Sequence, residues 1–128
     1  MTLDEAFPKV AFHRDPGKST NYIVQLRQAK RKSAGGILLT ELDREAEADN
    51  TTIGKVVAIG SGCFKNSNGQ GWPEGPWFEL GVFLQVPRYG GFRFRVKSGD
   101  DYVNFVMFDH LQFLAKVTGD PLEIVEYV

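Results

Sequence analysis

A chain of 128 residues fits one compact domain, and 42% hydrophobic residues suffice for a core. A formal net charge of -1 and an isoelectric point of about 6.1 argue against a general nucleic-acid binder, which is ordinarily basic. One cysteine, Cys63, excludes an intrachain disulfide and fits a reducing compartment, and no apolar run reaches the roughly 18 residues of a membrane span.

Cys63 with the distant His13 and His110 falls short of the four Cys/His ligands usual for structural zinc. Met1 to Val10 has no apolar signal-peptide core, so the expectation is a soluble cytoplasmic protein without a membrane partner. Glycine is abundant at 14 and phenylalanine at 10, in short apolar runs without a long helical period. That pattern predicts an all-β fold, a small antiparallel barrel or sandwich.

Residues 1–18 are punctuated by Pro8 and Pro16-Gly17 and read as a partly ordered N-terminal arm. Leu3, Phe7, Val10 and Phe12 are its candidates for packing on a barrel edge. Tyr22 to Gln28 reads as the first strand, with Tyr22, Val24 and Leu26 on one face and Ile23, Gln25 and Arg27 on the other. Ile53 to Gly60 reads as the second, although its alternation breaks near Val56. Gly54 inside that strand predicts a bulge or a close backbone approach.

Ser61 to Phe78 is rich in turn residues, and Asn66-Ser67-Asn68-Gly69 is a hairpin-turn signal. Trp72 and Trp77 sit between glycines and prolines, as a packed irregular lobe or as an exposed apolar patch. Val82 to Val86 reads as a strand and Tyr89-Gly90-Gly91 as a turn. Phe92 to Val96 alternates strictly, which turns Phe92, Phe94 and Val96 inward and Arg93 and Arg95 outward. Ser98 to Asp101 reads as a hairpin turn, Tyr102 to Phe108 as a strand, and Asp109 to Gln112 as a short turn. Phe113 to Val117 reads as the last strand. Residues 118–128 form a C-terminal extension that could add a strand or dock on a neighbour.

Residues 29–52 pose the functional question. Ile37-Leu38-Leu39 follows Gly35-Gly36. It is flanked by basic Arg27, Lys30, Arg31 and Lys32 and by acidic Glu41, Asp43, Glu45, Glu47 and Asp49. Neither flank can bury the triplet, so it is a buried strand or a docking element for another protein. Glu41 to Asp49 has helix-forming residues, but only Leu42 and Ala46 would make its apolar stripe, and so short a helix is marginal alone. A flexible acidic arm fits better.

Ile23-Val24 through Ser33-Ala34-Gly35-Gly36-Ile37-Leu38-Leu39-Thr40 resembles the N-terminal half of GroES-family co-chaperonins, the chaperonin-10 family. Gly54-Lys55-Val56-Val57-Ala58-Ile59-Gly60-Ser61-Gly62 resembles the family's next strand, Tyr89-Gly90 its Tyr-Gly turn, and Val106-Met107 and Phe113 to Val117 its C-terminal strands. The likeness covers roughly residues 20–117. Two features depart from it: a longer segment between Thr40 and Gly54, and an aromatic sequence over 61–79, where the family has its roof hairpin. Extra arms lie at both ends. Such divergence suits a specialised member, for example a virus-encoded one acting in a host cytoplasm.

The resemblance implies a GroES-like β-barrel over 19–117, with a long mobile loop over about 29–52 and a roof hairpin lobe over about 61–79. It implies a co-chaperonin that forms a heptameric ring, caps a GroEL-type chaperonin and closes a chamber holding unfolded protein substrates. Ile37, Leu38 and Leu39 match the family's chaperonin-binding triplet, and Gly35 and Gly36 the hinge before it. Trp72, Trp77 and Tyr89 would line the roof or rim of the lid. No cofactor is implied, since the partner binds and hydrolyses ATP.

The energetics suit a releasable lid. Burying an aliphatic side chain contributes about 1.5–3 kcal/mol, so three give roughly 5–9 kcal/mol gross. Ordering a loop costs on the order of 1–2 kcal/mol per residue. One loop alone binds weakly, and several on one ring bind through effective concentration.

No catalytic constellation is present, and Asp109-His110 reads as a surface pair rather than a dyad. The alternative function is a barrel that binds single-stranded nucleic acid, using Arg27, Lys30, Arg31 and Lys32 with Phe92, Arg93, Phe94 and Arg95. A GroES-like barrel within a medium-chain dehydrogenase is disfavoured, because the nucleotide domain and metal ligands of those enzymes are missing from this chain.

Overall fold

The computed structural model of the chain describes residues 2–10, 14–28, 52–66, 68–99 and 101–124. It is nearly all-β, consistent with the small GroES-like barrel. Helix α1 (Leu3–Ala6) is followed by strands β1 (Asn21–Leu26), β2 (Ile53–Ile59), β3 (Phe83–Gln85), β4 (Phe92–Ser98), β5 (Asp101–Asp109) and β6 (Ala115–Val117). The strands form one antiparallel sheet in the order β4-β5-β1-β2-β3-β6.

β1 is central, and both its faces are buried. Tyr22, Val24 and Leu26 pack with Val56, Leu84, Val106 and Phe108 on one side. Ile23 packs with Val96, Val103 and Phe105 on the other. The broken alternation of β2 has a structural cause. Ile23 pairs with Ala58 but Val24 pairs with Val56, so the register shifts there and Val57 is the extra residue of a bulge. Gly54 is the expected close approach, since a Cβ there would lie 2.9 Å from the Cβ of Val24.

The β4–β5 hairpin turns through Gly99, with Ser98 paired to Asp101. Alternation along β4 holds, but the inward reading of Phe92 does not. Val96 is buried and Phe94 stacks on its cross-strand partner Phe105 at 5.3 Å, yet Phe92 is 51% exposed. β4 ends the described sheet, and the only cation over Phe92 and Phe94 among the described residues is the Arg14 guanidinium, at 5.9 and 5.6 Å.

Both terminal segments fold back onto the sheet. Thr2 and Glu5 form a reciprocal capping box that starts α1. Ala6 and Phe7 then pack on Ile53, joined by Phe83, Val117, Leu122 and Ile124. Thus the extension after residue 117 lies, over its described part, against its own barrel. Phe12, Val125, Tyr127 and Val128 are outside the described residues.

Candidate functional site

Two regions of the sheet bear on function: the roots of segment 29–51 and the aromatic lobe. The triplet Ile37, Leu38 and Leu39 and the hinge Gly35 and Gly36 are outside the described residues. Their roots are not. Arg27 N–H donates to the Ile53 carbonyl at 2.9 Å, which continues the β1–β2 ladder to the point where the segment leaves and returns. Thr52, within the loop range read from sequence, is buried, and its carbonyl accepts from Val86 N–H at 2.8 Å.

The lobe grows from the end of β2. Gly60 N–H donates to Asn21, Ser61 N–H to Gly17 and Gly62 N–H to Ser19, so the chain is strapped to the start of β1 before it enters the lobe. Lys65 bridges Gly71, and Asn66 N–H donates to Gln70, giving the hairpin turn expected around Asn66 to Gly69.

Phe64 is the lobe's pivot. Its φ of 59° lies in the left-handed region, unusual for a side chain of this size. Its N–H donates to His110 Nδ1 at 2.8 Å, and its carbonyl accepts from Trp72 N–H at 2.9 Å. Around its ring lie Trp72 at 5.6 Å, Phe78 at 4.9 Å and His110 at 5.4 Å.

Trp72 and Trp77 are edge to face at 5.1 Å, and Trp77 also meets Phe113 at 5.8 Å. The two tryptophans are therefore brought together, and Trp77 remains 36% exposed. Tyr89 is 79% exposed on the segment between β3 and β4, and it is not among the described rings packed on the pair.

His110 is not the surface residue the sequence suggested. It is only 6% exposed; its Nδ1 accepts from the lobe, and its backbone N–H donates to the Thr20 carbonyl at 2.8 Å. An accepting Nδ1 leaves the ring proton on Nε2. Asp109 is engaged elsewhere: its carboxylate accepts from the Thr20 hydroxyl at 2.7 Å and from Leu111 N–H at 3.1 Å. Partial burial works to raise its pKa, but these bonds and nearby His110 more than offset that, and the carboxyl titrates below its ordinary value. The Cys63 thiol donates to the Asn21 carbonyl at 3.3 Å, and burial pushes its pKa up, the opposite of an activated thiolate.

The ring of Tyr22 is fully buried, and its hydroxyl donates to the Gln112 carbonyl. Burial, then the charges of Asp109 and Cys63, push this phenol well above the ordinary tyrosine value. The folded chain holds the proton more tightly than the unfolded chain. Its contribution is therefore complete below about pH 10 and is lost as pH rises through the folded value. In an alkaline titration, phenolate absorbance from Tyr22 should appear together with loss of the fold. Tyr22→Phe should lack that late step; a step that persists would contradict the burial.

Residues 19–77 match the family model described as the chaperonin 10 kDa subunit. The match covers less than half of the chain, and over that range the chain is similar to GroES-family co-chaperonins. No curated protein matches it closely enough to refine this. The matched stretch carries β1, segment 29–51, β2 and the lobe as far as Trp77. The family is not an enzyme family, and it implies oligomerisation and a GroEL-type partner.

Sequence reasoning missed His110 and the gripping of the roots by the termini. The pattern Thr2-x-x-Glu5 was a readable signal for α1. Nothing local marked His110, whose partner Phe64 is 46 residues away.

Proposed function

We propose that this chain is a co-chaperonin that assembles as a heptameric ring and caps a GroEL-type chaperonin in a nucleotide-dependent cycle, closing a chamber in which client proteins fold. Segment 29–52 is the docking arm, with Ile37, Leu38 and Leu39 the side chains buried on the partner and Gly35 and Gly36 the hinge. The observation that carries the reading is the family match, which spans this segment and both strands that bear it. The pairing of Arg27 with Ile53 supports it, because it anchors a long segment at two adjacent points.

The aromatic lobe forms the lid's roof in this reading, with Trp72, Trp77 and Tyr89 on its rim or inner side. ATP is bound and hydrolysed by the chaperonin, and the ring works in the cytoplasm beside it. The acidic arm after Thr40 adds residues to be ordered on docking, which weakens each loop and keeps the lid releasable.

Size-exclusion chromatography with a bacterial GroEL-type chaperonin, with and without adenine nucleotide, tests the proposal. Co-elution should require nucleotide and should vanish for Ile37→Asp, because a buried carboxylate reverses the gain from the aliphatic site. A monomeric elution without co-elution, and a salt-sensitive shift of single-stranded oligonucleotides, would replace this reading with the nucleic-acid-binding one.

A further inference from the structure

The two terminal segments lie outside the family match, yet they meet at the roots of the docking segment inside it. Arg27, at the outgoing root, donates through Nη1 to the Pro121 carbonyl at 2.8 Å and to the Ile124 carbonyl at 2.7 Å. Its neighbour Gln28 donates its N–H to the Ala6 carbonyl at 2.8 Å. Gln28 Nε2 donates to the Tyr102 carbonyl at 3.3 Å, and Gln25 Nε2 to the Pro8 carbonyl at 2.6 Å.

At the returning root, Ile53 is fully buried beneath Ala6 and Phe7, with Phe83, Val117, Leu122 and Ile124 around them. The rings of Phe7 and Phe83 lie 5.1 Å apart. β1 pairs with β5 only as far as Gln25 and Phe105, so on that side the N–H of Gln28 is met by the N-terminal segment, while Arg27 N–H stays on Ile53 of β2.

We infer that α1 with Phe7, and the turn from Pro121 to Ile124, form a clasp that pins both roots of the docking segment, with Arg27 as its positioning residue. This rests on the capping reading for its effect on function, though not for its existence. With the clasp closed, Gln28 and Ile53 are held to the barrel. With it open, these root residues come loose and must be re-ordered on every docking event. Each such residue corresponds to roughly a tenfold loss in loop affinity. The chemistry is specific to arginine, since one guanidinium nitrogen reaches two carbonyls through two N–H groups.

The test compares the full-length chain with Arg27→Met, Arg27→Lys and Leu122→Ala. Amide hydrogen exchange is followed at Gln28, Ile53 and 122–124, and nucleotide-dependent affinity is measured for a bacterial GroEL-type chaperonin. Arg27→Met keeps the aliphatic stem and removes the donors. It should speed exchange at Gln28 and 122–124 at least tenfold, leave Val24 and Val106 protected, and weaken chaperonin binding roughly tenfold. Arg27→Lys should fall between, and Leu122→Ala should act like Arg27→Met from the other side.

Faster exchange at the roots with unchanged chaperonin affinity would overturn the positioning role. Unchanged exchange at Gln28 in both Arg27→Met and Leu122→Ala would overturn the clasp itself. Failure of the unsubstituted chain to bind any chaperonin would count against the capping reading; the clasp would then stand or fall on the exchange pattern.

Discussion

Gly60→Ala should cost more than about 4 kcal/mol, among the largest effects of any single substitution in this chain. A Cβ at Gly60 would be driven into the Ser19 carbonyl oxygen and would lie 2.9 Å from the Asn21 carbonyl oxygen. Both obstacles are backbone, so no rotamer change relieves them. Neither is free to retreat. Ser19 N–H and its hydroxyl both donate to Pro16, and the Ser19 carbonyl accepts from Gly62. Asn21 begins β1 and is paired with Asp109.

Separating the two backbone segments would break the straps from Gly60, Ser61 and Gly62 together. A domain of this size is stable by only about 5–15 kcal/mol, so much of the folded population would be lost. Urea denaturation is the measurement. A loss under about 1 kcal/mol would mean that the backbones at this junction do not approach as described.

Phe78→Ala should cost about 3–5 kcal/mol, the range for emptying a buried phenylalanine site. Phe78 is 1% exposed and joins the lobe to the barrel. Its ring meets Tyr22 of β1 at 4.7 Å, Phe64 at 4.9 Å and Phe113 at 5.3 Å, all near edge to face. Truncation leaves a cavity that these rings cannot fill without giving up their other partners, Phe108 for Tyr22, Trp72 for Phe64 and Trp77 for Phe113.

Because Trp72 and Trp77 lean on Phe64, the lobe should loosen before the sheet does. Tryptophan emission should then shift red and quench more readily at denaturant concentrations where the strands persist. Coincident loss of tryptophan and strand signals, with a cost under about 1 kcal/mol, would show that lobe and barrel are not coupled through this ring.

Much of the sheet was legible because its signals are local. Strict alternation in Phe92 to Val96, the turn at Ser98-Gly99 and the hydrophobic run at Tyr22 each describe neighbours in the chain, and the pleat converts such patterns directly into faces. Even the fault in β2 was visible at Val56, since a bulge is a local break in period. What alternation cannot say is what covers a face. Phe92 and Val96 share one side of β4, but only Val96 is buried, because the cover is supplied by other segments and runs out toward Phe92.

The sequence by itself determined the resemblance to the co-chaperonin family, the all-β class and the strand positions. These depend on residue type and spacing over short spans. Only the tertiary structure decided the roles of His110, Arg27 and the terminal segments. Phe64 and His110 are 46 residues apart, and Arg27 and Pro121 are 94 apart. A histidine in a turn or an arginine at a strand end carries the same local signal whether its partner is water or a distant backbone atom. The fold makes that choice, because a buried N–H or carbonyl left without a partner costs about 1–3 kcal/mol and must be met by whichever segment the topology brings near.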